Sequence, residues 1–204
     1  MVTPNPITTP FPTPPGGILR ALELLNIRRR DDAEEMAESD ADLTDLPRPW
    51  EPPSCDDDLR ETVWEWCDAV ATWINHEYAW RPTQMIPPCW LRHRHIAREL
   101  PVLAILRWTA EESFDPGPIE EWHRYTLPTF HERMTARLGE SSCRTGTHLH
   151  WPAEARHTAH TNDDAVHERQ NLIYADTRPD ADHSAEPAPP LSFGPTPESA
   201  TSRS

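Results

Sequence analysis

The stretch from Ile86 to Trp108, IPPCWLRHRHIARELPVLAILRW, decides how this chain folds. It holds two of the nine Trp and the densest aliphatic run. Pro87 and Pro88 have a fixed φ and no backbone N–H, which suits the first turn of a helix. From Cys89 onward, Cys89, His93, Ile96 and Leu100 recur at steps of three and four, with Trp90, Ala97, Ala104 and Trp108 beside them. That spacing predicts one face of a helix, with Arg92, Arg94, Arg98 and Glu99 falling off it. Pro101 removes a backbone donor and crowds the carbonyl of Ala97. A kink is expected there, or two helices joined end to end with Pro101 opening the second.

Working outward, residues 57–80 give the cleanest amphipathic pattern. Leu59, Val63, Trp66, Val70 and Trp73 step by four and three, and Cys67 and Ile74 widen the stripe. Ser54 or Asp56 can cap this helix, and Asp57 and Asp58 suit its positive end. Trp64 lies off the stripe, as a second packing surface or an exposed aromatic. On the other side, Pro118 opens a short helix over 119–125. Pro128 breaks it and opens another, with Thr126 as cap, and Leu127, Phe130, Met134 and Leu138 on one face. Gly139 closes it. No period-two run predicts a sheet. The expected fold is all-α: a small three-helix core in which two helices are broken by Pro.

The outer parts differ in composition. All nine Trp lie between Trp50 and Trp151. Residues 1–17 are expected to be disordered, 18–38 to form an amphipathic helix, 39–55 a Pro-rich linker, and 56–152 the Trp-rich core. Residues 153–204, rich in Ala, Pro, Asp, Ser and Thr, read as a disordered acidic tail. On the 18–38 helix Ile18, Leu22 and Leu25 share a face. That helix either docks on the core or meets a partner, and Leu22, Leu25 and Trp64 form the candidate partner surface.

Charge narrows the partners. The net charge is −15, spread along the chain: nine acids against five Arg over 1–48, sixteen against ten over 49–152, nine against four over 153–204. There is no Lys. Nucleic acid and anionic membranes both select basic footprints, so neither is expected as a direct ligand. Arg92, His93, Arg94, His95 and Arg98 make a local basic run beside Trp90, which helical geometry divides between faces. Positions 1–17 lack a basic start and an apolar run, and Val102–Leu106 is too short to span a bilayer. The expected location is the cytoplasm, with Cys55, Cys67, Cys89 and Cys143 reduced.

Two constellations bear on chemistry. Cys89 and His93 sit one helical turn apart, Cys143 and His148 follow the last helix, and His150 and His123 are further candidates. Zinc takes four Cys or His ligands, so C-x3-H and C-x4-H are usable half-sites. The simpler reading makes Cys89 a small core residue and His93 a hydrogen-bonded core histidine, with no metal and no cofactor. Zinc held by Cys89, His93, Cys143 and His148 is the alternative. Glu120-Glu121-Trp122-His123 pairs carboxylates with an imidazole, but adjacent helix residues diverge, so no catalytic residue is assigned and an enzyme is not expected. His157, His160, His167 and His183 read as a solvated scatter.

The chain carries P-R-P-W at 47–50, W-x6-W at 66–73, P-P-C-W-x2-H at 87–93, E-L-x2-L at 99–103 with Trp108, W-H-x3-L-P at 122–128 and C-x4-H at 143–148. In this the chain resembles a family of small uncharacterised helical proteins of high-GC Gram-positive bacteria, often encoded on plasmids, integrated conjugative elements or prophages. The resemblance covers about residues 47–150, and Pro101 departs from its pattern. It implies a helical fold and a mobile-element setting. The expectation is therefore a non-catalytic protein–protein interaction or accessory factor.

Overall fold

The structure is a computed structural model and describes residues 7–35, 46–139, 143 and 147–178. The described residues are helical and contain no strand: α1 (Gly16–Glu35), α2 (Asp57–Glu77), α3 (Arg94–Glu111), α4 (Gly117–Glu121), α5 (Leu127–Leu138), α6 (Glu154–Thr161) and α7 (Asp163–Thr177). No helix among them is long and apolar enough to cross a membrane.

The helix α2 follows its sequence pattern. The Asp56 carboxylate accepts a hydrogen bond from the Leu59 amide at 2.8 Å, which satisfies one of the free donors of the first turn. Val63, Trp66, Cys67, Val70, Trp73 and Ile74 are buried. They meet Ile96, Leu100, Leu103 and Ala104 of α3, and Trp122, Phe130 and Met134, in one core. Trp64 is half-buried and packs edge-on against Trp90, ring centroids 6.0 Å apart. It is a second packing surface of α2.

Pro101 does not open a second helix. The helix α3 runs unbroken through buried Pro101. The interruption lies before it, where Trp90–Arg92 form a 3-10 turn and His93 is extended, φ −100° and ψ 93°. Nor does Pro128 end a helix. The chain from 117 to 138 stays helical through a π turn at Trp122–Thr126, in which the Leu127 amide bonds the Trp122 carbonyl five residues back. Thr126 has helical φ and ψ and makes no side-chain cap. Widening the helix by one residue just before Pro128 accommodates a residue that cannot donate.

The N-terminal expectations change more. Residues 7–15, expected to be disordered, lie along α2. Phe11 is buried against Trp73 and Trp66, with centroids at 5.0 and 6.1 Å. The Trp66 and Trp73 indoles donate to the carbonyls of Pro12 and Thr9, both at 2.9 Å. The Thr9 hydroxyl donates to Glu77 Oε1 at 2.6 Å, and that bond holds the Glu77 carboxyl below its usual range. Arg107 lies over the rings of Phe11, Trp73 and Trp122 at 5.1, 5.6 and 5.7 Å. Next, α1 docks through fully buried Ile18, and Leu22 packs on the core. Residues 36–38 of the expected 18–38 helix lie outside the described residues. In the expected linker 39–55, residues 46–55 are part of the fold: Pro49, Pro52 and Cys55 are buried, and Ser54 Oγ accepts from the Arg48 amide at 2.8 Å. Residues 39–45 lie outside the described set.

The chain divides into two units, one ending at Leu149 and one starting at His150, so the expected core limit of 152 is three residues too long. In the second unit α6 and α7 occupy part of the expected disordered tail, while 179–204 lie outside the described residues. Asn162 caps α7 by accepting from the Ala165 amide at 2.8 Å. Leu172, Ile173 and Tyr174 are exposed.

Candidate metal centre

Three hydrogen bonds fix the turn that precedes α3. Asn75 of α2 brackets Ile86, donating to its carbonyl at 2.9 Å and accepting from its amide at 2.7 Å. The Trp90 indole donates to Asp68 Oδ1 at 2.9 Å. With Ile86 and Trp90 held on α2, the chain between them must turn, and Cys89 and His93 bracket the 3-10 turn 90–92. They do not share a helix face, as the spacing had led us to expect. The turn nonetheless brings Cys89 Sγ to 3.3 Å from His93 Nε2.

The second pair comes from beyond α5. Cys143 is buried, with its Sγ 3.9 Å from His148 Nδ1. The four ligand atoms of Cys89, His93, Cys143 and His148 all lie within 4.8 Å of one another. A zinc tetrahedron with arms of about 2.0–2.3 Å has edges of about 3.3–3.8 Å. The two measured pairs already sit near those edges. The His93 and His148 rings meet edge-on with centroids 5.1 Å apart. The Leu149 amide also approaches Cys143 Sγ, at 3.1 Å, an N–H aimed at the sulfur as it would be at a thiolate.

Electrostatics fit the same reading. Burial, then His148 and His95, hold the His93 imidazole below its ordinary pKa, so it is kept neutral, the form that ligates. Burial and the facing Cys143 sulfur hold the Cys89 thiol above its ordinary range. A cation between the sulfurs would reverse that, displacing the thiol protons as it binds.

Other sequence candidates do not converge here. His150 belongs to the second unit, where it faces Glu154 at 2.9 Å. His123 bonds the Tyr78 hydroxyl at 3.0 Å. Glu120 and Glu121 are exposed, and Glu120 lies 3.9 Å from Arg124. The basic run divides as expected: Arg92, Arg94 and Arg98 are exposed, while Glu99 of the same helix engages Arg133 and Arg137 of α5. Of the candidate partner surface, Leu25 lines a groove with Leu19, Leu22, Trp50, Ile105 and Trp108. Sequence reading missed the anchoring of Phe11, the lone aromatic of its segment. The available signal was that buried indoles need acceptors, and that Pro-rich backbone offers carbonyls not used in a helix.

Comparison of the chain with protein families, curated proteins and solved structures finds no match.

Proposed function

We propose that this protein is a zinc-stabilised helical interaction domain. Cys89, His93, Cys143 and His148 are the four ligands of one structural zinc. The observation that carries the reading is the convergence of these atoms, within 4.8 Å, from two segments 50 residues apart in sequence by the Cys143–His93 separation. Two Cys and two His are the ligand chemistry zinc takes, and four protein ligands leave no open position for water or substrate. The metal's role is therefore to hold the fold. Packing supports this too. Around Cys143 the described residues offer little apolar anchorage: Leu149 is 45 % exposed and Thr147 is exposed. A metal would supply the tie that burial does not.

With the metal assigned to structure, the working surface is apolar and open. The groove between α1, Trp50 and Trp108 is walled by Leu22, Leu25 and Ile105. Ile27 also lines this groove, and Leu24 of α1 is exposed as well. These features suit a protein partner, in an accessory role. Metal content of the purified chain tests the zinc reading. One zinc per chain is expected, with cobalt giving the visible spectrum of a tetrahedral two-sulfur site. A chain free of metal that gains no stability from added zinc would overturn it.

A further inference from the structure

The two sulfurs of the centre are placed unequally. Cys143 is fully buried, and Cys89 is only partly buried, at the turn before α3. They face each other within the same cluster, each with an imidazole at its side. None of the four cysteines is in a disulfide. The other two sit in different surroundings. Cys67 is wholly buried in the core, where burial pushes its thiol far up. Cys55 is buried, with its sulfur 3.5 Å from the Arg48 carbonyl. One sulfur within reach of a small oxidant and a second, sheltered sulfur beside it are the parts of a dithiol that closes on oxidation.

We propose that Cys89 and Cys143 form a peroxide-sensitive pair whose closure to a disulfide discharges the zinc. This inference rests on the zinc reading, because ligation by the metal is what holds the Cys89 sulfur as the reactive thiolate; the linked peptide is read separately from the zinc content. The Cys89 sulfur attacks one oxygen of a peroxide. The O–O bond breaks, hydroxide leaves with the bonding pair, and Cys89 becomes a sulfenic acid. The Cys143 sulfur then attacks the Cys89 sulfur. An S–S bond forms, the S–O bond breaks, and a second hydroxide leaves. Each sulfur gives up one electron and the peroxide takes up two. With two protons the hydroxides become two waters. Closure would leave only His93 and His148 of the four ligands to hold a bound zinc, whose oxidation state is untouched, and two imidazoles would release it. The disulfide keeps the segment bearing Cys143 tied to the turn before α3, so closure exchanges one cross-link for another and frees His93 and His148.

The test uses the full chain, zinc-loaded, titrated with hydrogen peroxide. Released zinc is read with a chromogenic chelator, free thiols are counted after denaturation, and disulfide-linked peptides are identified by mass. The expected result is a fall from four free thiols to two, release of the bound zinc in step, and a single Cys89–Cys143 linked peptide. The same titration of Cys55→Ala should give the identical linked peptide, and of Cys89→Ser should give none. Zinc retained with four thiols intact, or linkage through Cys55 or Cys67, overturns the proposal while leaving the zinc reading in place. A chain that carries no zinc but still closes Cys89 onto Cys143 overturns the zinc reading and supports the thiol pair.

Discussion

The N-terminal arm meets the core on α2, and Cys143 with His148 meets it at the turn before α3, by different physics. The arm brings apolar surface of its own. Phe11 is buried between Trp66 and Trp73, and two indole N–H groups reach its backbone. Burying a Phe removes roughly 150 Å² or more from water, several kcal/mol as an upper bound at about 25 cal/mol per Å². The Cys143 segment brings one buried sulfur, an imidazole and an N–H aimed at that sulfur. It carries donor atoms in place of apolar area. A segment built from apolar area holds itself; on the zinc reading, a segment built from ligands would need the ion. The two should therefore respond to different insults.

The largest effect expected is at the ligand segment. Cys143→Ala should abolish stoichiometric zinc. It should cost about 4 kcal/mol in denaturant unfolding at free zinc a thousandfold above Kd, and nothing further when a chelator is added. If chelator leaves the midpoint of the parent protein unmoved, the contrast between the two segments fails. Phe11→Ala probes the other side. A loss of about 3 kcal/mol is expected with zinc affinity unchanged, because the arm shares no residue with the ligand set. A loss below about 1 kcal/mol would mean that the arm rests on the core without bracing it.

A smaller effect sharpens the comparison through pH. His131 is buried on α5 with its Nε2 unpartnered, and burial lowers its pKa from 6.5. The unfolded chain takes up a proton at the ordinary value while the folded chain resists it. Stability from this group is thus full above about pH 6.5 and falls as pH drops below it, by at most about 1.4 kcal/mol per pH unit. His131→Leu should remove this part of the acid sensitivity, seen as a difference between variant and parent denaturation midpoints that grows from about pH 7 to about pH 5. If variant and parent fall in parallel, the acid sensitivity lies in other groups, such as His93 and His95, whose burial also lowers their pKa. The smallest effect is expected in the second unit. Ile173 of α7 is exposed, so Ile173→Ser should leave the unfolding of the first unit within about 0.5 kcal/mol.

Much of this was legible in the residues. The 3.6-residue stripe of α2, its Asp56 cap and the closing Gly139 all follow from local rules that the structure keeps. Pro was a poorer guide. A kink or a split was expected at Pro101 and a break at Pro128 because a proline lacks a donor, yet α3 is continuous through buried Pro101 and at Pro128 a π turn absorbs the fault. The arm was misread for a related reason: composition averages over a segment, and one Phe among prolines does not raise the average. The helices α6 and α7 were missed because a helix with no buried residue shows no stripe.

The sequence by itself determined that the fold is helical, which face of α2 is buried, and which residue types could hold a metal. Those follow from local periodicity and side-chain chemistry. Tertiary structure decided that Cys89 and His93 meet across a turn, that Cys143 and His148 join them, and that Phe11 belongs to the core. Contacts between residues 50 or more apart depend on how helices pack, and no local spacing encodes that packing.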